Sequence, residues 1–168
     1  FIKLKTMKYL IAIITSLLLF SCATQNSASK YSKIEYEAGP CFGSCPIYKM
    51  TIKADRTAVL EAEHFNFSKG FSKGEFDKPR EGTFTTTISP EAYKKLTAAL
   101  DDLNLMSLNA KYGSRNVTDL PTGYLRITMN DGRKKEIEDY GKRGTEKLQE
   151  LYEQFENLKT SQKWTKIK

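Results

Sequence analysis

Asn130-Asp131-Gly132 stands between two stretches in which apolar and polar residues alternate, and it constrains the fold more than any other feature of the chain. An Asn-Asp-Gly turn accepts the positive φ angles that a tight antiparallel connection demands, so residues 124–129 and 135–140 are expected to form a hairpin. The same period of two appears earlier: Tyr48, Met50 and Ile52 share one face while Lys49, Thr51 and Lys53 share the other. Asp55-Arg56 reads as a turn, and residues 57–67 as the returning strand, with Val59 and Phe65 on one side and Leu60 on the other. The β-branched run at 83–88 predicts a third long strand, and residues 33–38 predict a short one.

Each set of strands is followed by a helix signal. Ser89-Pro90-Glu91 supplies a cap, a residue preset for the first turn and a charge matched to the dipole, and Tyr93, Leu96, Leu100 and Leu103 then fall on one side. Thr145 caps a second segment whose Leu148, Leu151, Tyr152, Phe155 and Leu158 form an apolar stripe. Strands, helix, strands, helix predict an α+β fold: an antiparallel sheet of about five to six strands with two α-helices packed on one face. No alternating βαβ pattern supports a Rossmann or thioredoxin-like core.

The amino-terminal region reads as an address. Met7-Lys8 gives a positive start, and residues 9–20 are apolar except for Thr15 and Ser16, too short a run for the ~20 residues of a spanning helix. Leu19-Phe20-Ser21-Cys22 closes it and resembles the lipobox cleaved in Gram-negative lipoproteins. Residues 1–21 are therefore expected to be a signal peptide, with Met7 as the start and residues 1–6 preceding it; an uncleaved anchor helix is the alternative. The resemblance implies that Cys22 carries a thioether-linked diacylglycerol and an amide-linked acyl chain of the palmitate class. Several chains at ~0.8 kcal/mol per buried methylene anchor stably. Ala23 stands where an inner-membrane retention aspartate is absent, which directs the expectation to the outer membrane of a Gram-negative cell envelope. Residues 22–33, rich in Ser, Asn, Gln and Lys, are expected to be a flexible tether, and residues 34–168 a single domain.

Charge limits the partners. The full chain carries +7; without Lys3, Lys5 and Lys8 the 27 basic residues fall to 24 against 20 acidic ones, a mild +4. No concentrated basic stripe marks a nucleic-acid binder. The expected partners are the membrane, through Cys22, and an envelope polymer or protein, with the domain itself a monomer.

Cys41 and Cys45 form an even pair once Cys22 is acylated, and an oxidising compartment makes a structural disulfide the expectation. Gly43 lets the intervening segment curl back far enough to bridge. Cys41-x-x-x-Cys45-Pro46 is also similar to the copper loop of the Sco-type chaperones, with His64 as a third ligand, since soft thiolates and an imidazole suit Cu(I). That family carries a helix after the second cysteine, whereas a strand is expected here. The wider segment Gly39-Pro40-Cys41-Phe42-Gly43-Ser44-Cys45-Pro46-Ile47-Tyr48, with Thr118-Asp119-Leu120-Pro121 further on, resembles an uncharacterised domain family of secreted and lipoprotein-type bacterial envelope proteins. The resemblance spans residues 33–158 and implies no activity.

The tandem Phe67-Ser68-Lys69-Gly70 and Phe71-Ser72-Lys73-Gly74 reads as a connection, or as a binding lip in which Phe71 and Phe76 stack on a ligand while Lys69 and Lys73 meet anionic groups. The tail 159–168 pairs lysines with Trp164, readable as a packed indole or as a contact with lipid head groups. Asp101-Asp102 diverge on a helix and Glu61 and Glu63 share a strand face, neither a hydrolytic constellation. With one histidine and no nucleophile elbow or phosphate loop, no catalytic residue and no cofactor is expected. The chain reads as a membrane-anchored envelope lipoprotein with a non-enzymatic binding or structural domain. The alternatives are a thiol or copper-handling protein using Cys41, Cys45 and His64, and a periplasmic hydrolase inhibitor.

Overall fold

The computed structural model describes residues 29–67 and 81–168. Cys22, Lys69, Phe71, Lys73 and Phe76 lie outside the described residues, as does the signal segment. The chain is α+β. Its elements are β1 (Tyr31–Ala38), β2 (Ile47–Lys53), β3 (Thr57–His64), β4 (Gly82–Thr87), α1 (Pro90–Asp102), a 3-10 turn (Leu105–Ser107), β5 (Lys111–Tyr112), β6 (Thr122–Met129), β7 (Lys134–Tyr140), α2 (Glu146–Ser161) and β8 (Thr165–Lys166).

The strands form one sheet in the order β5-β7-β6-β1-β2-β3-β4-β8, antiparallel throughout except where β5 meets β7. β2, β3 and β4 follow one another as an antiparallel meander on one side of β1. The β6–β7 hairpin then pairs with the other side of β1, with Tyr36 between Met50 and Leu125. The first strand thus becomes a central one. α1 connects β4 to β5 and α2 connects β7 to β8, so each helical connection runs from one side of the sheet to the other.

Alternation sorts the two faces. Ile34, Tyr36, Met50, Ile52, Leu60, Leu125 and Ile137 are buried in the core, while Lys33, Glu35, Glu37, Lys49, Arg126 and Glu136 occupy the intervening positions and pair with one another. Each large apolar side chain so buried contributes ~1.5–3 kcal/mol. Both caps form as the residue types dictate: Ser89 Oγ accepts from Ala92 N at 3.2 Å and Thr145 Oγ1 from Leu148 N at 3.1 Å. Leu96, Leu100 and Leu103 are buried in the α1 region, and all five residues of the α2 stripe are buried. α2 stacks Tyr152 and Phe155 on Tyr36 at ring distances of 5.1 and 4.7 Å.

Three expectations are corrected. The sheet has eight strands rather than five or six, because β5 and β8 are two-residue pairings with no period to read. The tether does not reach residue 33: Tyr31 is buried and opens β1, held by a hydrogen bond from its hydroxyl to Asp101 at 2.5 Å. Residues 57–67 are not one strand, since Phe65 turns to φ 58° and ends β3 at His64. The core-facing residues of β3 are Ala58, Leu60 and Ala62. The tail takes the packed form, with Trp164 Nε1 donating to the Leu158 carbonyl at 3.2 Å and β8 pairing with β4.

Candidate functional site

At the carboxyl end of β1 three loops converge. Gly39 N donates to Thr122 O at 2.8 Å, turning the chain out of the sheet, and residues 39–46 then double back to β2. Cys41 and Cys45 stand at disulfide distance, their Cα atoms 5.8 Å apart, as the expected bridge requires. Gly43 supplies the φ of +130° that closes so short a ring. Phe42 N donates to the carbonyl of Asp119 at 3.1 Å, so the Cys-x-x-x-Cys segment and the Thr118-Asp119-Leu120-Pro121 turn, 77 residues apart in sequence, meet at one rim.

That second turn is also held. Asp119 sits at φ 65°, Tyr140 Oη donates to Val117 O at 2.7 Å and accepts from Leu120 N at 3.4 Å, and Gly141 N donates to Pro121 O at 2.8 Å. The side chains on this scaffold face outward: Phe42 is 89% exposed and Val117 57%. An exposed aromatic on a segment pinned at both ends loses little freedom on binding, the condition under which such a group contributes most.

Beneath the rim lies a polar cluster within the core. Asp139 is fully buried at a β7 position that alternation assigns to the apolar face, and it accepts from Arg143 N at 3.1 Å, Gly144 N at 2.9 Å and Tyr152 Oη at 3.2 Å. Glu156 on α2 accepts from Tyr48 Oη at 2.9 Å and pairs with Lys159 at 2.6 Å. Lys159 stands 4.2 Å from the Tyr48 ring centre. Burial, reinforced by Glu156 and Asp139, pushes the hydroxyls of Tyr36, Tyr48 and Tyr152 far above the usual tyrosine range, and burial draws the Lys142 ammonium below the usual lysine range.

The copper arrangement of Cys41, Cys45 and His64 is not assembled. The two sulfurs face each other, and His64 lies opposite Ile47 in the β2–β3 ladder with its ring against Phe65. Among the described residues no three His, Cys, Asp or Glu side chains converge to hold a metal ion. Asp101 and Asp102 diverge as expected, one bonding Tyr31 and the other pairing with Lys147 at 2.7 Å. The cluster residues Asp139, Lys142 and Glu156 were not singled out by motif. One signal was available: from Ile137 the period of two carries an aspartate into the core at 139, followed by Gly141-Lys142-Arg143-Gly144, a loop with a glycine at each end.

Residues 32–159 match the model of a family described as a domain of unknown function. No curated protein matches the chain.

Proposed function

The chain belongs to the DUF6438 family, and we propose that it is a non-enzymatic binding domain, carried on a lipid anchor at Cys22 in a bacterial cell envelope, that engages a partner protein or polymer through the Phe42 rim. The observation that carries the reading is Phe42 itself. An aromatic side chain at 89% exposure costs solubility and contributes nothing to the core, yet its segment is secured by the Cys41–Cys45 pair and by the Asp119 carbonyl. Burying that ring in a partner is worth ~2–3 kcal/mol, enough to rank as an anchor of an interface.

The placement of the rim suits an anchored protein. The described chain enters at Ser29, which accepts a hydrogen bond from Tyr93 Oη at 2.7 Å, and β1 then runs eight residues, ~26 Å at 3.3 Å per residue, before the rim. Ser29 and the rim are at opposite ends of the central strand, so in this reading a domain tethered through Cys22 presents Phe42 away from the bilayer. In this reading both helices cover the sheet's apolar face, and the polar face, charge-paired along its length, is a solvated surface.

Photo-cross-linking in producing cells tests this. A photoreactive phenylalanine analogue at position 42 is expected to give a discrete adduct, lost when Cys41 and Cys45 are both replaced by serine. The same analogue at Thr51, on the polar sheet face, is expected to give none. No adduct at position 42, or the same adducts from both positions, overturns the proposal.

A further inference from the structure

α1 and α2 lie side by side in opposite directions, and each end of the pair is tied. Ser89 N, at the start of α1, donates at 3.0 Å to Gln162 Oε1 just past the end of α2. Lys147 Nζ, in the first turn of α2, pairs at 2.7 Å with Asp102 Oδ2 at the end of α1. Helices fixed at both ends do not collapse onto each other where the side chains between them are small. At the Ser89–Gln162 end those residues include Ala92 on α1 and Thr160 and Ser161 on α2, and a cleft of about 330 Å³ remains. That volume falls at the low end of small-molecule sites, ~300–1,000 Å³.

The lining divides by chemistry. Leu96 and Leu158, 1% and 4% exposed, form with Ala92 an apolar floor. Lys95, Gln154 and Asn157 stand around it, and among the described residues their side chains make no hydrogen bond or ion pair. The two hydroxyls are engaged locally: Thr160 Oγ1 donates to the Asn157 carbonyl at 3.2 Å, and Ser161 Oγ accepts from Gln162 Nε2 at 3.1 Å. No acidic residue lines the cleft, so Lys95 is its one charged group. One ammonium and two carboxamides are thus left to meet a ligand over an apolar floor.

We infer that this cleft binds the carboxyl end of a short peptide whose last side chain is small and apolar. The Lys95 ammonium matches a single carboxylate. Each carboxamide offers a donor and an acceptor, the complement of a peptide C=O and N–H. The floor of two leucines and an alanine takes a methyl-sized side chain. A single lysine is a poor match for a phosphate dianion, and three apolar residues among eight are a poor match for a long acyl chain. The cleft belongs to the helical layer, apart from the Phe42 rim, and does not depend on that rim binding anything.

The test uses the full chain purified from producing cells and held in lipid nanodiscs, titrated with N-acetyl-alanyl-alanine and, in parallel, with its uncharged carboxamide. Calorimetry reads the binding, and the side-chain amide resonances of Gln154 and Asn157 read its place. The acid is expected to bind saturably and to shift both resonances, and the carboxamide to bind at least tenfold more weakly. Lys95→Met and Gln154→Leu are each expected to weaken binding tenfold or more, and Lys95→Arg to retain it. Ala92→Leu is expected to fill the floor, so that binding is lost while the melting temperature stays no lower than the parent's, a pairing that a folding defect does not produce. Phe42→Ala is expected to leave binding unchanged, so the cleft and the rim can fail separately. No saturable heat up to ~10 mM acid, ten times a millimolar Kd, equal binding of the carboxamide, or undiminished binding in Ala92→Leu overturns the assignment.

Discussion

Raising the pH through the tyrosine range is expected to dismantle this domain from its polar cluster outward. Tyr36, Tyr48 and Tyr152 are held protonated by burial first and by Glu156 and Asp139 second, so the folded chain keeps protons that the unfolded chain releases near pH 10. Above that pH the unfolded state binds fewer protons, and stability falls as pH rises. Each such tyrosine costs ~1.4 kcal/mol per pH unit, so the three together cost ~4 kcal/mol at pH 11 and ~8 kcal/mol at pH 12. A domain of this size has ~5–15 kcal/mol in total. Tyr31, shifted the same way by burial and then by Asp101, steepens the fall. Lys142 acts oppositely over a lower window: burial lowers its pKa, so between that value and ~10.4 the unfolded state holds the extra proton and stability rises with pH. Urea unfolding at stepped pH, followed by tyrosinate absorbance, reads both effects. The expected slope above pH 10 is at least ~4 kcal/mol per unit, reduced by ~1.4 in Tyr48→Phe. If the nine tyrosines of the chain all ionise near pH 10 while the fold persists, the burial argument is wrong.

Three substitutions separate packing, backbone and cross-link. Gly144→Ala places a Cβ 2.6 Å from Tyr112 Cγ and 2.9 Å from Asp139 Oδ2, and is expected to cost ~2–3 kcal/mol in a urea melt. Gly132→Ala meets open space but a φ of +85°, so its cost is expected to be only the ~1–2 kcal/mol of the left-handed backbone. Replacing Cys41 and Cys45 together by serine opens a five-residue ring worth ~2 kcal/mol in the chain-entropy model, and is expected to leave the fold intact by circular dichroism.

Periodicity made the long elements legible. The Tyr48, Met50 and Ile52 alternation, the Asn130-Asp131-Gly132 turn and the Ser89 and Thr145 caps each rest on local chemistry, and each appears where the residue types require it. Long-range outcomes were not legible in the same way. That β1 becomes central depends on β6 pairing with it, and nothing within residues 31–38 records that partner. β5 and β8 are too short to carry a pattern, and they exist because the sheet edge and the α1 and α2 connections bring them alongside. The rim was half legible: Cys41, Cys45 and Thr118-Asp119-Leu120-Pro121 stand out singly, but their junction through Phe42 N and the Asp119 carbonyl is a tertiary fact. The polar cluster needed the fold outright, since Tyr36, Lys142 and Glu156 lie on three separate elements.

The proposed anchoring of a binding domain at a membrane through Cys22 is tested most directly by the mass of that cysteine's peptide. Protein recovered from membranes of producing cells is predicted to begin at Cys22 and to carry a diacylglycerol and an amide-linked acyl chain there. An unmodified Cys22 thiol, or a chain still bearing residues 7–21, would contradict it.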